Sequence, residues 1–197
     1  MLAVGAGAER MTQAMRSLEA LFLIGVEGVA EIWLVRHGDC YEGMADGGDP
    51  PLSPLGRKQA ARLAERIRRL NPAAVYASPH RRAVETARAI TDDVHVDPRL
   101  VEMAMDLTDD GVLDFKEPPS NVVERMSAAI NDITKAYAGR RVIVVGHGAA
   151  IVNYVSDVLR LEPGQLRLLP YFTSVSIVRA LGDRRVMAGF GDVSHLE

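Results

Sequence analysis

The order of apolar runs predicts an α/β fold: a three-layer sandwich with a mostly parallel central sheet flanked by helices and a small cap of loops. Three observations carry that prediction. From residue 31 onward, short β-branched runs alternate with amphipathic helical stretches, the signature of repeated strand–helix–strand units. "RVIVVGH" at 141–147 is the strongest strand signal in the chain. The two final apolar runs, "SVSIVRAL" and "RRVMAGF", are separated only by Gly182-Asp183, a hairpin turn.

Residues 1–30 read as an N-terminal extension and 31–197 as one domain. In the extension, Arg10 and Arg16 precede an apolar run from Ala20 to Ala30 that closes on small residues. Secretory leaders share that pattern. Glu27 interrupts the run, however, and cleavage after Ala30 would leave the first strand at the new terminus. An amphipathic helix is the favoured reading, because Met11, Met15, Leu18 and Phe22 recur at helical spacing. Glu19, Glu27 and Glu31 lie in or beside the apolar stretch, which argues against a membrane span.

Within the domain, Glu31–His37 is an apolar strand that stops on Arg36 and His37. A loop rich in Gly, Asp and Pro runs from Gly38 to Ser53. "SPLGRKQAARLAERIRRL" is a helix capped by Ser53, with Pro54 in its first turn. Leu63, Ile67 and Leu70 form its apolar stripe, and Arg57, Lys58, Arg62, Arg66 and Arg69 its solvated side. "AAVYAS" (73–78) is a second strand, "HRRAVETARAITD" a second helix and "VHVD" (94–97) a third strand ended by Pro98. Residues 104–119 read as loop. "SNVVERMSAAINDITKAYAG" is a helix capped by Ser120 and stopped by Gly139. After the strand at 141–147, a helix is expected from about Ala149 to Leu159.

Length and composition are those of a soluble globular chain: 197 residues suffice for a core without staples. The net charge of -3 gives no general attraction to nucleic acid or to a membrane surface. Few aromatics argue against a base-stacking platform. The single cysteine, Cys40, rules out an intrachain disulfide and fits a reducing, cytoplasmic setting.

The chemistry concentrates at strand ends. Two strands finish in His-Gly: Arg36-His37-Gly38 and Gly146-His147-Gly148. In a parallel sheet both histidines reach the carboxyl edge, where α/β folds bind ligands. Glycine behind each allows close approach of a ligand to the backbone. The helix after His147 turns its positive end to the same edge. "SPHRRAVETARA" (78–89) follows the second strand, so Ser78 to Arg82 arrive there too, and Arg81 or Arg82 can offer a planar fork to phosphate.

The ordered set "LVRHG", "PLSPLGRKQA", "SPHRRAVETA", "RLVEM", "VVGHG" and "GDVSHL" resembles the histidine phosphatase superfamily, with its phosphoglycerate-mutase-like fold, from about residue 31 to the end. The resemblance implies that 31–197 is a single catalytic domain. It implies that His37 is the nucleophile that becomes phosphohistidine and that Arg36 binds phosphate beside it. The second arginine of the pattern falls on Arg82, not Arg81. His147 matches the second histidine of the pocket, Glu102 matches the general acid/base, and Gly38 and Gly148 line the phosphate. No metal or cofactor is expected, and the expected partner is a small phosphorylated substrate. A homodimer is compatible with the chain.

The chain also departs from the family pattern. Gly43 stands where an asparagine often contacts phosphate, and the Gly-x-Trp-Glu-Gly stretch after the acid is missing. In its place a loop carries Asp106, Asp109, Asp110, Asp114 and Glu117 against Lys116, either a solvated loop or an acidic rim that repels doubly charged substrates. Asp106 is the substitute candidate for the acid. Cys40, near the pocket, reads as a buried, inert thiol rather than an oxidant-sensitive one. The short stretch between Glu102 and His147 leaves no room for the insertion of true mutases, so a phosphatase of small phosphomonoesters is the favoured function. Three alternatives remain: a protein-phosphohistidine phosphatase, which would need no acid; a mutase-type phosphotransferase; and a phosphate-binding module without turnover.

Overall fold

A computed structural model describes residues 6–41, 49–108 and 110–197, with the backbone alone for 6–11 and Leu107. Gly43 and Asp109 therefore lie outside the described residues, as does the side chain of Met11. Helix α1 (Ala6–Leu21) leads into β1 (Ala30–Arg36), α2 (Pro54–Arg68), β2 (Ala74–Ala77), α3 (Arg81–Arg88) and β3 (His95–Val96). Then come β4 (Met105–Leu107), β5 (Leu113–Phe115), α4 (Pro119–Ala136), β6 (Arg141–Gly146), α5 (Gly148–Val158), β7 (Val175–Leu181) and β8 (Arg184–Asp192).

The main sheet has the order β3-β2-β6-β1-β7-β8. β1, β2, β3 and β6 are parallel. β7 is antiparallel to β1, and β8 is antiparallel to β7. Alternation along the strands explains the three layers. Ile32, Leu34, Val142 and Val144 pack with Met126, Ile130 and Tyr154 of α4 and α5. Their neighbours Trp33, Val35, Ile143 and Val145 pack with Leu63, Ile67 and Ala83 of α2 and α3 on the other face. Strands covered on both faces have no polar side, which is why β6 reads as a continuous apolar run.

Two details differ from the sequence expectations. Residues 104–119 are not all loop: β4 and β5 form a small antiparallel hairpin, with Met105 opposite Phe115 and Leu107 opposite Leu113. Three-residue strands are too short to show a period, and the turn is carried by Gly111 at φ +75°. Helix α4 starts at Pro119 with Pro118 as its cap residue, so Ser120 is already helical; proline tolerates the first turn because its missing N–H has no partner there anyway. Helix α1 forms as expected, with Met15 and Leu18 exposed along it and Phe22 exposed just beyond its end. Among the described residues, no helix is long and apolar enough to cross a membrane.

Candidate active site at the carboxyl edge of the sheet

β1 ends at Arg36, and His37 extends the ladder by one bond, its N–H donating to Gly146 O at 2.9 Å. In a continuing strand, Arg36 and His37 would point to opposite faces. Leaving the strand at His37 releases that constraint. The release is held by Thr173, whose N–H reaches Arg36 O at 3.0 Å and His37 O at 3.3 Å. Thr173 is fully buried at φ 58°, a costly conformation for a β-branched residue and one that clusters at functional sites.

The loop behind His37 is packed backbone to backbone. A Cβ on Gly38 would lie 2.8 Å from Gly56 O, and one on Gly56 would lie 1.9 Å from Asp39 O. Both positions need glycine for close approach, not for an unusual φ. The loop is further tied by Gly38 N–H to Thr86 Oγ1 at 3.0 Å and Asp39 N–H to Gln59 Oε1 at 2.8 Å. Ser53 accepts from Gly56 N–H at 3.0 Å as the cap of α2, and its own hydroxyl donates to Asp39. The stretch "PLSPLGRKQA" thus braces the His37 loop. Cys40, expected to be buried, is only half-buried.

His37 is 5% exposed. Its Nδ1 lies 2.7 Å from Gly38 O; a carbonyl only accepts, so Nδ1 carries the hydrogen. Arg82 Nε donates to His37 Nε2 at 3.3 Å, so Nε2 presents its lone pair. Two independent partners fix one tautomer. Burial first, then the Arg82 and Arg36 charges, pull the imidazole down to about 3, against the hydrogen bond to Gly38. His37 is therefore neutral at any physiological pH.

Arg82 and Arg81 separate as neighbours on a helix must. Arg81 faces outward to Glu85 at 2.8 Å, while Arg82 turns inward to His37. Arg36 donates to Pro170 O at 2.8 Å and lies 4.0 Å above the Phe172 ring; its Nε is buried without a partner. Gly148 lets it in, since a Cβ there would stand 3.4 Å from Arg36 Nε and 3.1 Å from Leu169 Cδ1.

His147 is fully buried, its ring 5.2 Å from that of His37. Its Nε2 pairs with Ser78 Oγ at 2.7 Å, and its Nδ1 has no partner. Burial first, then the neighbouring His37 and Arg82, which would repel a charged imidazole, hold it well below the ordinary range.

Glu102 reaches the same edge. Its carboxylate accepts from Ala150 N–H at 2.8 Å, Ala149 N–H at 3.3 Å and Met103 N–H at 2.8 Å. The positive end of α5 thus receives Glu102 itself, and the Glu102 charge acts on Arg36 and His80. Asp106 is placed differently: it sits exposed on the hairpin, 3.8 Å from Lys116. The acidic loop is partly neutralised, by Lys116 within it at Asp114 and by Arg125 of α4 at Glu117, 2.8 Å away.

The structure brings Arg36, His37, Gly38, Arg82, Glu102, His147 and Gly148 to one edge. Sequence reading passed over His80, Asp49 and Phe172. His80 lies inside "SPHRRAVETA", and its ring meets His147 at 4.9 Å. Asp49 accepts from Arg81 N–H at 2.8 Å and approaches Arg82 at 3.4 Å; a lone acid in a polar loop gives no signal. Phe172 meets His37 at 5.7 Å through tertiary packing that no local pattern encodes. Among the described residues, no group of three or more His, Cys, Asp and Glu is arranged to hold a metal ion.

Comparison with known proteins fits this edge into a wider group. A model of the histidine phosphatase superfamily (branch 1) matches residues 32–112 and 106–193. The probable phosphoglycerate mutase GpmB of Enterobacter sp. (strain 638) is 30% identical, covering 85% of this chain and 95% of the relative. Its counterpart from Proteus mirabilis (strain HI4320) is also 30% identical, over 84% and 94%. Among solved structures, phosphoserine phosphatase from Entamoeba histolytica in complex with 3-phosphoglyceric acid has a TM-score of 0.73 at 22% identity, covering 85% of this chain and all of that one. Mycobacterial glucosyl-3-phosphoglycerate phosphatase has a TM-score of 0.70 at 21% identity, over 83% and 99%.

Proposed function

The chain belongs to the histidine phosphatase superfamily, and on that premise we propose that it is a metal-independent phosphatase of small phosphomonoesters working through a phosphohistidine on His37. One observation carries the proposal: a buried, neutral His37 whose Nε2 lone pair lies 3.3 Å from Arg82 Nε, at a sheet edge it shares with Arg36 and His147. The buried unpartnered Arg36 Nε and His147 Nδ1 are polar atoms that a phosphate would satisfy.

His37 Nε2 attacks phosphorus, the N–P bond forms, and the ester P–O bond breaks. Glu102 gives a proton to the leaving oxygen. It then takes one from the water that attacks phosphohistidine, and His37 leaves neutral with inorganic phosphate formed. The covalent stage divides one difficult displacement into two. Arg36 and Arg82 face the charge on the phosphoryl oxygens, where fixed donors contribute most. A group beside Glu102 that needs no acid would make the carboxylate superfluous, so its presence supports ester substrates over phosphohistidine proteins.

The names of the curated relatives favour a second reading, transfer of the phosphoryl group back to the substrate. The short span between Glu102 and His147 supports hydrolysis instead. The test is hydrolysis of an aryl phosphate in excess chelator by wild type and His37→Ala. Chelator-resistant turnover, falling at least ~10³-fold in the variant, is expected. Turnover that survives the substitution would overturn the mechanism.

A further inference from the structure

We propose that His80 is a third imidazole of the phosphate pocket, contacting the bound phosphoryl group through Nδ1. Its ring stands edge-on to His147, with centroids 4.9 Å apart and planes at 68°, and its backbone N–H reaches the same Ser78 hydroxyl that holds His147, at 3.3 Å. The proposal rests on the phosphatase reading above and adds a contact to it.

His80 precedes Arg82 at the start of α3, so the turn that delivers the arginine to His37 also delivers this ring to the edge. Its Nδ1 is buried without a partner, as are His147 Nδ1 and Arg36 Nε. A buried polar atom left unpaired is costly and calls for a ligand or a functional reason. Of the six such atoms among the described residues, these three belong to the residues gathered at the carboxyl edge of the sheet, two of them on touching imidazoles, and an anion with several acceptor oxygens would satisfy all three. The charged groups acting on His80 are Arg82, Asp49 and Glu102, which are the phosphate-binding arginine, its carboxylate neighbour and the acid. Burial, with Arg82 next, keeps His80 below the ordinary imidazole range, so it offers one N–H as a neutral donor. The bland alternative is a ring that only packs on His147.

Phenylalanine keeps the ring and removes both nitrogens, while asparagine restores a donor near the position of Nδ1. The probe is inorganic phosphate titrated into the full chain by calorimetry. His80→Phe should weaken binding about tenfold, the scale of one hydrogen bond to a charged group, and His80→Asn should stay within about threefold of wild type. Wild-type affinity in His80→Phe would overturn the contact and leave the phosphatase reading intact. Equal weakening in both variants would assign His80 to packing. Wild type that binds no phosphate would overturn both readings. A measurement independent of folding in the variants is the ¹⁵N resonance of His80 Nδ1 in wild type: it should move on saturation with phosphate, and a stationary signal would overturn the proposal.

Discussion

The two His-Gly strand ends share a dipeptide and little else. At the end of β1, His37 has its Nδ1 hydrogen fixed by the carbonyl of Gly38 and its Nε2 lone pair accepting from Arg82 Nε. At the end of β6, His147 has Nε2 engaged by Ser78 and Nδ1 left unpartnered. The first ring presents a lone pair and suits attack. The second is anchored from behind and presents the opposite nitrogen. The same His-Gly dipeptide therefore acquires different chemistry from what stands beside it: an arginine on α3 for one, a serine after β2 for the other.

Substitutions can break this asymmetry one side at a time. The largest expected effect after loss of His37 itself is Arg82→Ala, which removes both the partner of Nε2 and a phosphate contact; kcat/KM should fall by about 10²–10³-fold in steady-state assays. Glu102→Gln should lower turnover by about 10²-fold or more for esters with poor leaving groups, and much less for aryl phosphates, whose leaving oxygen needs little protonation. An equal loss across leaving groups would assign Glu102 to holding α5 rather than to proton transfer. Ser78→Ala, on the His147 side, should cost only about tenfold in kcat/KM, the scale of one buried hydrogen bond. A loss as large as that of Arg82→Ala would erase the division of labour between the two histidines.

Acid is the gentlest way to press on both ends together. His37, His80 and His147 all lie below the ordinary value of 6.5 in the folded chain, mainly through burial. The unfolded chain then binds more protons once pH drops below 6.5, so their contribution is complete above that value and is lost as pH falls toward the folded values, about 3 for His37. Urea midpoints should decline between about pH 7 and 4, and His37→Gln should flatten the decline. A pH-independent midpoint over that window would contradict neutral burial.

Much of the fold is written in patterns that local sequence can express. β1 and β6 announce themselves because both their faces are covered, and Ser53 before Pro54 marks the start of α2. Arg82 separates from Arg81 because the family pattern has a fixed spacing and a helix sends neighbours to different sides. What was not legible depends on tertiary approach. The β4–β5 hairpin has strands too short for a period. Phe172 and Thr173 reach the site from the far end of the chain. The bonding of Glu102 to the start of α5 joins two segments that neither pattern links. His80 lies in plain view beside two arginines, but a lone imidazole at a strand-to-helix turn carries no local pattern that marks it as a ligand.

The central claim is that phosphate passes through His37 Nε2. The most direct test is to quench turnover in alkali, where phosphoramidates survive, and to map radiolabelled phosphate on the chain. Label on the peptide containing His37, absent from His37→Ala and discharged on the timescale of turnover, is the predicted result. Wild type that hydrolyses substrate with no label on that peptide, or a variant that still carries it, would contradict the account.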